Sequence, residues 1–303
     1  MQSSLRRQVS ADLVLLAVTA IWGVTFVLVK RAVVTTAPAT FLSLRFVLAA
    51  ALLWPLALRH PNGRRAWVAG LATGVPLWGG YLCQTLGLTR AGATEAAFLT
   101  GLSVVLVPLL WALRRRRWPV PGTWLAVGAS LLGLVLLGAP GGLRLDIGEI
   151  WLLGAAVGFA LQVVAVAEWA GDVVPAQLAA TQVSVAAMLS AVWATATGWG
   201  HWPGPEGWWA VAITGVLASA GALLAQATVQ AWTPPEHTAL IFAAEPAFAA
   251  LFARWSLGEH LAAVQWVGAA LMFSAMLLAE RTPGTAPGRG AVRPARGNAG
   301  EGG

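Results

Sequence analysis

The fold class to expect from this chain is an all-α polytopic membrane protein, with ten transmembrane helices in two inverted five-helix repeats. Three observations lead there. The chain carries too little charge to face water over its whole surface. Its apolar residues gather into ten stretches of membrane-spanning length. The second half repeats the first, weakly, at a nearly constant offset.

Of 303 residues, 58% are hydrophobic and 10% are charged, and the mean hydropathy is +0.71. A soluble domain carries roughly 25% charged residues, so lipid must be the outer solvent here. The sequence pI near 11.3 would ordinarily suggest a nucleic-acid partner. The basic residues, however, stand in short runs between apolar stretches, where membrane orientation explains them and no nucleic acid is expected. The single cysteine, Cys83, lies inside an apolar stretch, which excludes an intrachain disulfide and a thiolate metal cluster. His60, His201, His237 and His260 all fall at segment ends or loops, so no metal and no cofactor is expected. An intramembrane enzyme needs a nucleophile and base, or paired carboxylates with histidine, at membrane depth. Glu245 alone is central, and the chain reads as no enzyme.

A hydrocarbon core of about 30 Å needs roughly 20 apolar residues per helix. The first stretch, 11–29, follows Arg6 and Arg7 but is longer than a signal-peptide core, and reads as a retained helix. The second, 39–58, carries Arg45, and the third, 67–88, carries Trp78, Tyr81 and Gln84. The fourth, 94–113, opens with Glu95 in its first turn, where the helix dipole favours it, and stops at the Arg114–Arg117 run. The fifth, sixth, seventh and eighth cover 121–137, 150–167, 175–196 and 208–229. The ninth, 236–257, is preceded by a capping-box pattern, Thr233-Pro234-Pro235-Glu236, and a second such pattern, Ser256-x-x-Glu259, precedes the tenth at 261–278. The links are a few residues long, so neighbours run antiparallel. The expected partition is a cytoplasmic N-terminus at 1–10, a first repeat at 11–140, a second at 149–281, and a disordered cytoplasmic tail at 282–303, rich in Gly, Pro, Ala and Arg.

With the N-terminus inside, thirteen basic residues collect on the inner side, among them Arg6, Arg7, Arg59, Arg64, Arg65 and Arg114 to Arg117. Five, Lys30, Arg31, Arg90, Arg144 and Arg254, lie outside, and Arg45 is within a helix. This positive-inside asymmetry places both termini in the cytoplasm, in a bacterial inner membrane. Tryptophans 67, 118, 151, 199, 202, 208, 209 and 232 crowd the segment ends, as an interfacial belt does.

An offset of 142 superposes Ala97 on Ala239, Leu109 on Leu251, Trp124 on Trp266 and Leu136 on Leu278, and Pro38 to Arg45 parallels Pro175 to Gln182. Five helices per repeat is odd, so the second repeat inserts upside down, a construction shared by many secondary transporters with substrate held near the midplane.

Ile21-Trp22-Gly23 with Phe26, Leu44-Arg45-Phe46, Ala96-Ala97-Phe98-Leu99-Thr100 with Pro108, and Ala239-Leu240-Ile241, Glu245-Pro246, Leu257-Gly258-Glu259, Gly268-Ala269-Ala270-Leu271 follow one another in order. In these motifs the chain resembles the EamA-type transporters of the drug/metabolite transporter superfamily, from about Ala11 to Glu280. The resemblance implies ten helices in two inverted halves, with helices 3, 4, 8 and 9 around a central cavity. It also implies export or exchange of small metabolites, often amino acids, by alternating access. Helix 4 has Ser103 and Val104 where helix 9 has Glu245 and Pro246, so the acidic-proline break is expected in one half only.

Candidate site residues follow from polarity at depth. Glu245 costs about 2.5–3.5 kcal/mol at bilayer centre and must face a partner or a wet cavity. It is either a cavity carboxylate able to carry a coupling proton or a structural group locked to an arginine or amide. Pro246 frees a carbonyl one turn earlier. Arg45 cannot lose its charge, and either pairs, snorkels or anchors a substrate carboxylate. Trp22, Trp78, Tyr81 and Gln84 form an aromatic-polar set suited to a small amphipathic molecule, or pack between helices. Thr100, Ser103, Gln162, Ser219 and Gln226 are cavity hydrogen-bonders or helix–helix glue. The function expected is efflux of amino acids or similar small metabolites. The alternatives are uptake or exchange of a nucleobase, drug or nucleotide-sugar, or a membrane sensor or scaffold without flux. The expected partners are a small-molecule substrate, a coupling proton and the bilayer, in a monomer or homodimer.

Overall fold

A computed structural model describes residues 2–60, 63–138, 146–257 and 262–281. The tail at 282–303, Arg144, Glu259 and His260 lie outside the described residues, and so does the cap predicted at Glu259. Within them the backbone forms ten helical spans. These are α1 (Gln2–Thr35), α2 (Pro38–Ala57), α3 (Arg64–Leu88), α4, α5 (Pro121–Gly138), α6 (Ile147–Trp169), α7 (Pro175–Thr197), α8 (Pro205–Val229), α9 and α10 (Ala263–Arg281). Helix α4 divides into α4a (Ala93–Gly101) and α4b (Ser103–Arg115), and α9 into α9a (Pro235–Phe242) and α9b (Glu245–Leu257).

Lipid cannot hydrogen-bond a bare peptide group, so each span satisfies its backbone internally. Proline opens α2, α7, α8 and α9a, where its missing N–H would have had no partner. Seven spans are long and apolar enough to cross by themselves, and α5 and α10 are shorter apolar helices. The exception is α3. It is 25 residues long but carries two arginines, five glycines and Gln84, and it buries twelve residues, chiefly against α6 and α7. Its glycines let backbone meet backbone: a Cβ on Gly158 of α6 would lie 2.6 Å from Gly80 N and 2.7 Å from Gly80 Cα.

The repeat is visible bond by bond. In α4, Leu102 N donates to Leu99 O at 3.3 Å and Val105 N to Leu102 O at 3.1 Å; in α9, Ala244 N donates to Ile241 O at 3.1 Å and Ala247 N to Ala244 O at 3.1 Å. Each α9 bond lies 142 residues after its α4 counterpart, and α4b spans positions that the same offset carries onto α9b. Leu102 (φ −60°, ψ −13°) ends α4a and Ala243 (φ −59°, ψ −18°) ends α9a, each in a tight turn and one position apart under that offset. The break therefore occurs in both halves, not only where Glu245-Pro246 announces it. Helix α4a packs on α9b and α4b on α9a. The two broken helices thus run antiparallel, as inversion requires. They cross at their breaks, where a Cβ on Gly101 would sit 3.0 Å from Pro246 Cγ.

Helices α3 and α8 correspond with one difference. Thr73 and Thr214 return their hydroxyls to Ala69 O (2.8 Å) and Ala210 O (2.7 Å), 141 residues apart. Arg90 N and Trp232 N close on Gly87 O and Val229 O (both 2.9 Å), 142 apart. The additional residue of α8 is absorbed in a π-helical segment, Thr214–Gly221.

At the end of the bundle carrying the α1 N-terminus, Arg65 pairs with Asp172 (2.5 Å) and Arg114 with Glu168 (2.7 Å), both arginines more than half exposed. Asp12 of α1 meets His237 of α9a at 3.0 Å, and both are buried. One histidine is therefore drawn inside, although it stands at a segment end. The Thr233–Glu236 capping box does not form: the Thr233 hydroxyl turns back to Val229 O (3.3 Å), and Pro234 caps α9a without a side-chain bond. Glu95 does take the Gly92 N–H, at 3.5 Å.

Candidate functional site

Six helices line a narrow interior pocket of about 40 Å³ beside the α4–α9 crossing. Trp22 and Thr25 come from α1, Leu77, Tyr81 and Gln84 from α3, and Thr100 and Ser103 from α4. Phe159, Gln162 and Val163 come from α6, Leu223 from α8, and Phe242 and Glu245 from α9. The lining follows the repeat: Thr100 and Ser103 lie 142 residues before Phe242 and Glu245, and Trp22 and Thr25 lie 137 before Phe159 and Gln162.

Both helix breaks put a new helix start at the pocket, with Ser103 opening α4b and Glu245 opening α9b. A carboxylate in a first helical turn is favoured by the helix dipole, which helps hold Glu245 at this depth. Glu245 is half-buried and makes no hydrogen bond or ion pair within the described residues. Neither Gln84 nor Ser103 makes a side-chain hydrogen bond within them. Glu245, Gln84 and Ser103 are therefore unspent polar groups, whereas the Thr25 and Thr100 hydroxyls and the Gln162 amide on the same wall are already bonded within the bundle.

The aromatic wall is rigidly keyed. Trp22 meets Phe242 edge-on at 4.9 Å, and its Nε1 donates to Ala218 O at 2.8 Å, a carbonyl in the π-helical segment of α8. Tyr81 sits edge-on to Phe159 at 5.0 Å and to Phe46 at 5.4 Å. Such pairs add about 0.5–1.5 kcal/mol beyond area burial.

Behind Gln162 runs a chain of buried amides. Gln162 Nε2 donates to Gln226 Oε1 (3.2 Å) and Gln182 Oε1 (3.3 Å), Gln226 Nε2 to Gln162 Oε1 (3.2 Å) and Gln230 Oε1 (3.0 Å), and Gln230 Nε2 to Val163 O (2.6 Å). The chain ties α6, α7 and α8 together below the pocket wall.

Of the predicted site residues, Trp22, Tyr81, Gln84, Thr100, Ser103, Gln162 and Glu245 are brought together on the wall. Gln226 and Ser219 are buried one layer back, Pro246 packs at the crossing, and Trp78 stands off the lining. Arg45 neither snorkels nor forms an ion pair within the described residues: it is 1% exposed. Its Nε donates to Ser219 Oγ at 2.7 Å and its guanidinium lies 4.2 Å from the Tyr81 ring centroid. Cation–π contact and one hydroxyl replace the counter-ion that sequence reasoning looked for. The wall also includes Thr25, Leu77, Phe159, Val163, Leu223 and Phe242, which polarity at depth could not single out. The 137-residue correspondence with Trp22 would have found Phe159.

Comparison with known proteins agrees with this architecture. The model of the EamA-like transporter family matches residues 9–139 and again 146–280. An "uncharacterized transporter" of Archaeoglobus fulgidus is 30% identical over 276 residues, covering 90% of this chain and 86% of its own length. A solved structure described only as "Crystal structure of protein" shares the fold, with a TM-score of 0.73 at 20% identity over 89% of this chain and 97% of that one.

Proposed function

Because the chain belongs to the EamA-like transporter family and is a membrane transporter, we propose that it is a secondary transporter that exports or exchanges amino acids or similar small metabolites by alternating access. One observation carries this reading. The pocket lies where two antiparallel, broken helices from the two halves cross, and it holds an unpaired carboxylate, Glu245, among aromatic side chains. Broken helices at a repeat interface supply backbone and side-chain groups to a solute at the midplane, and rocking one half against the other exposes that solute to each side in turn. The aromatic faces of Trp22, Tyr81 and Phe159 suit the apolar part of a small amphipathic cargo, and Gln84, Ser103 and Glu245 its polar part.

Glu245 is also the group placed to carry a coupling proton, since it is the pocket's one carboxylate and has no fixed counter-ion. Arginine placement supports an orientation with both termini in the cytoplasm of a bacterial inner membrane. The reading is that of a carrier, not an enzyme. The test is flux in proteoliposomes against a panel of labelled amino acids, nucleobases and nucleotide-sugars. Saturable movement of an amino acid, lost in Glu245→Gln while thermal melting is kept, is the expected result. Movement of another class reassigns the cargo, and specific ligand binding without flux for any solute overturns the carrier reading.

A further inference from the structure

Asp12 of α1 and His237 of α9a lie 3.0 Å apart, each side chain 9% exposed. Their helices also supply Trp22 and Phe242 to the pocket wall, where the two rings touch edge-on at 4.9 Å. Asp12 stands ten residues before Trp22 and His237 five before Phe242, which is about 15 Å and about 8 Å along the two helices. Between these two contacts the interior is apolar. One buried cluster joins Leu15 and Val18 of α1, Val107 and Trp111 of α4b, and Ile241 of α9a. It reaches the pocket through Phe242 and Val163, which belong to both, and reaches the ion pair through Ala11, beside Asp12. On the side of the α1 N-terminus the pocket is therefore plugged by apolar side chains, with one buried ion pair at the far end of the plug.

Because the repeats are inverted, the positions that correspond to this pair belong to the opposite end. The offset of 137 carries Asp12 onto Glu149 of α6, and the offset of 142 carries Glu95 of α4a onto His237. Two carboxylates form no ion pair with one another, and each serves the start of its own helix. Glu149 takes the Asp146 N–H at 2.9 Å and Glu95 the Gly92 N–H at 3.5 Å.

Arg65–Asp172 and Arg114–Glu168 also join the two halves at the α1 N-terminal end, but both arginines are more than half exposed and such pairs hold weakly. The buried pair behaves differently. Drawn apart inside the bundle, it leaves Asp12 as an unpaired charge away from water, which is strongly unfavourable. It parts only when α1 and α9a separate far enough for water to reach both groups. A contact of this kind favours two discrete arrangements over the positions between them.

We propose that Asp12–His237 is a latch that keeps the pocket closed at the α1 N-terminal end, with no counterpart at the corresponding positions of the other end. The latch rests on the carrier reading only for what its opening serves, the passage of a solute on that side.

The test follows the reaction of a pocket thiol with a membrane-impermeant maleimide. Ser103→Cys is placed in a Cys83→Ser background, in sealed vesicles of either orientation. A separate Arg65→Cys chain, with its thiol at an exposed position, marks the orientation that presents the α1 N-terminal end. From that side, His237→Ala should raise the initial rate at least fivefold, because it strands the Asp12 charge. Asp12→Ala should raise it at least twofold, and by less than His237→Ala, because a histidine can shed its proton and stay buried as the neutral ring. Joined in one chain, the two substitutions should raise the rate by less than the product of their single effects. From the other side all rates should stay within twofold of the parent. Should an alanine variant fail to fold, Asp12→Asn decides, with at least a twofold rise expected from loss of the charge. Unchanged rates in the variants that fold overturn the latch. An equal rise from both sides also overturns it, as a general loosening of the bundle, and so does a double variant that matches the product of the singles. The labelling needs no flux. A chain that moves no solute yet shows the one-sided rise sinks the carrier reading alone, and a transporting chain with unchanged labelling sinks the latch alone.

Discussion

Gly158→Ala puts the packing of the pocket to a quantitative test. Its new methyl would lie 2.6 Å from Gly80 N and 2.7 Å from Gly80 Cα. Carbon atoms rest at about 3.5–4.0 Å from one another, so α3 and α6 must separate by about 1 Å. Both contacts are backbone, and no side-chain rotation relieves them. Overpacking of this kind costs about 1–3 kcal/mol, which at roughly 2–4 °C per kcal/mol lowers Tm by about 2–12 °C. The same movement pulls Tyr81 and Gln84 on α3 away from Phe159 and Gln162 on α6. A misplacement of about 1 Å at a reacting site can lower a rate on the order of 100-fold, and a loss of at least tenfold in flux is expected here. Gly79→Ala is the control, because a Cβ there meets nothing within 4 Å. Melting curves in detergent and initial flux in proteoliposomes read both variants. Melting and flux indistinguishable between Gly158→Ala and Gly79→Ala would refute the claim that this crossing sets the pocket.

Three further outcomes follow from the same geometry. Gln226→Leu strands amide groups of Gln162 and Gln230 inside the bundle, and should cost about 1–3 kcal/mol for each one left without a partner. Adding Gln162→Leu should cost less than the sum of the singles, which a double-mutant cycle in denaturation detects. Trp22→Phe keeps an aromatic face against Phe242 but removes the donor to Ala218 O. A loss of about 0.5–1.5 kcal/mol in stability is expected, with flux reduced because the π-helical segment of α8 loses its link to α1. Arg114→Ala, at a largely exposed pair with Glu168, should change stability by less than about 1 kcal/mol and the effect should shrink further in high salt.

Much of this architecture was legible because membrane insertion writes itself into composition. Apolar stretches mark all ten spans in the sequence, the third at 67–88 among them. Helix α3 is the informative case, since as a whole helix its arginines, glycines and Gln84 keep it below the apolarity of the others while serving close packing and the pocket wall. The break in α9 could be read from Pro246, which lacks an N–H. Its twin in α4 could not, because Gly101-Leu102 carries no comparable signature and the turn there is set by the helix it crosses. Arg45 shows the same limit. Its burial under a membrane demanded a partner, yet the partner is the face of Tyr81, and a ring stacked from another helix leaves no trace in local sequence. The apolar wall residues Leu77, Val163 and Leu223 resemble core or lipid-facing residues until the helices are assembled. The π-helical segment of α8 did leave a trace, as the change of offset from 141 to 142 between Thr214 and Trp232.

The most direct experiment uses the fact that Cys83 is the chain's single cysteine. In a Cys83→Ser background, Ser103→Cys places one thiol on the pocket wall at the α4 break. A membrane-impermeant thiol reagent is then applied to proteoliposomes while flux is followed. Progressive loss of flux, slowed by saturating cargo, is the predicted result. Full modification that leaves flux unchanged would contradict the assignment of this pocket as the path of the solute.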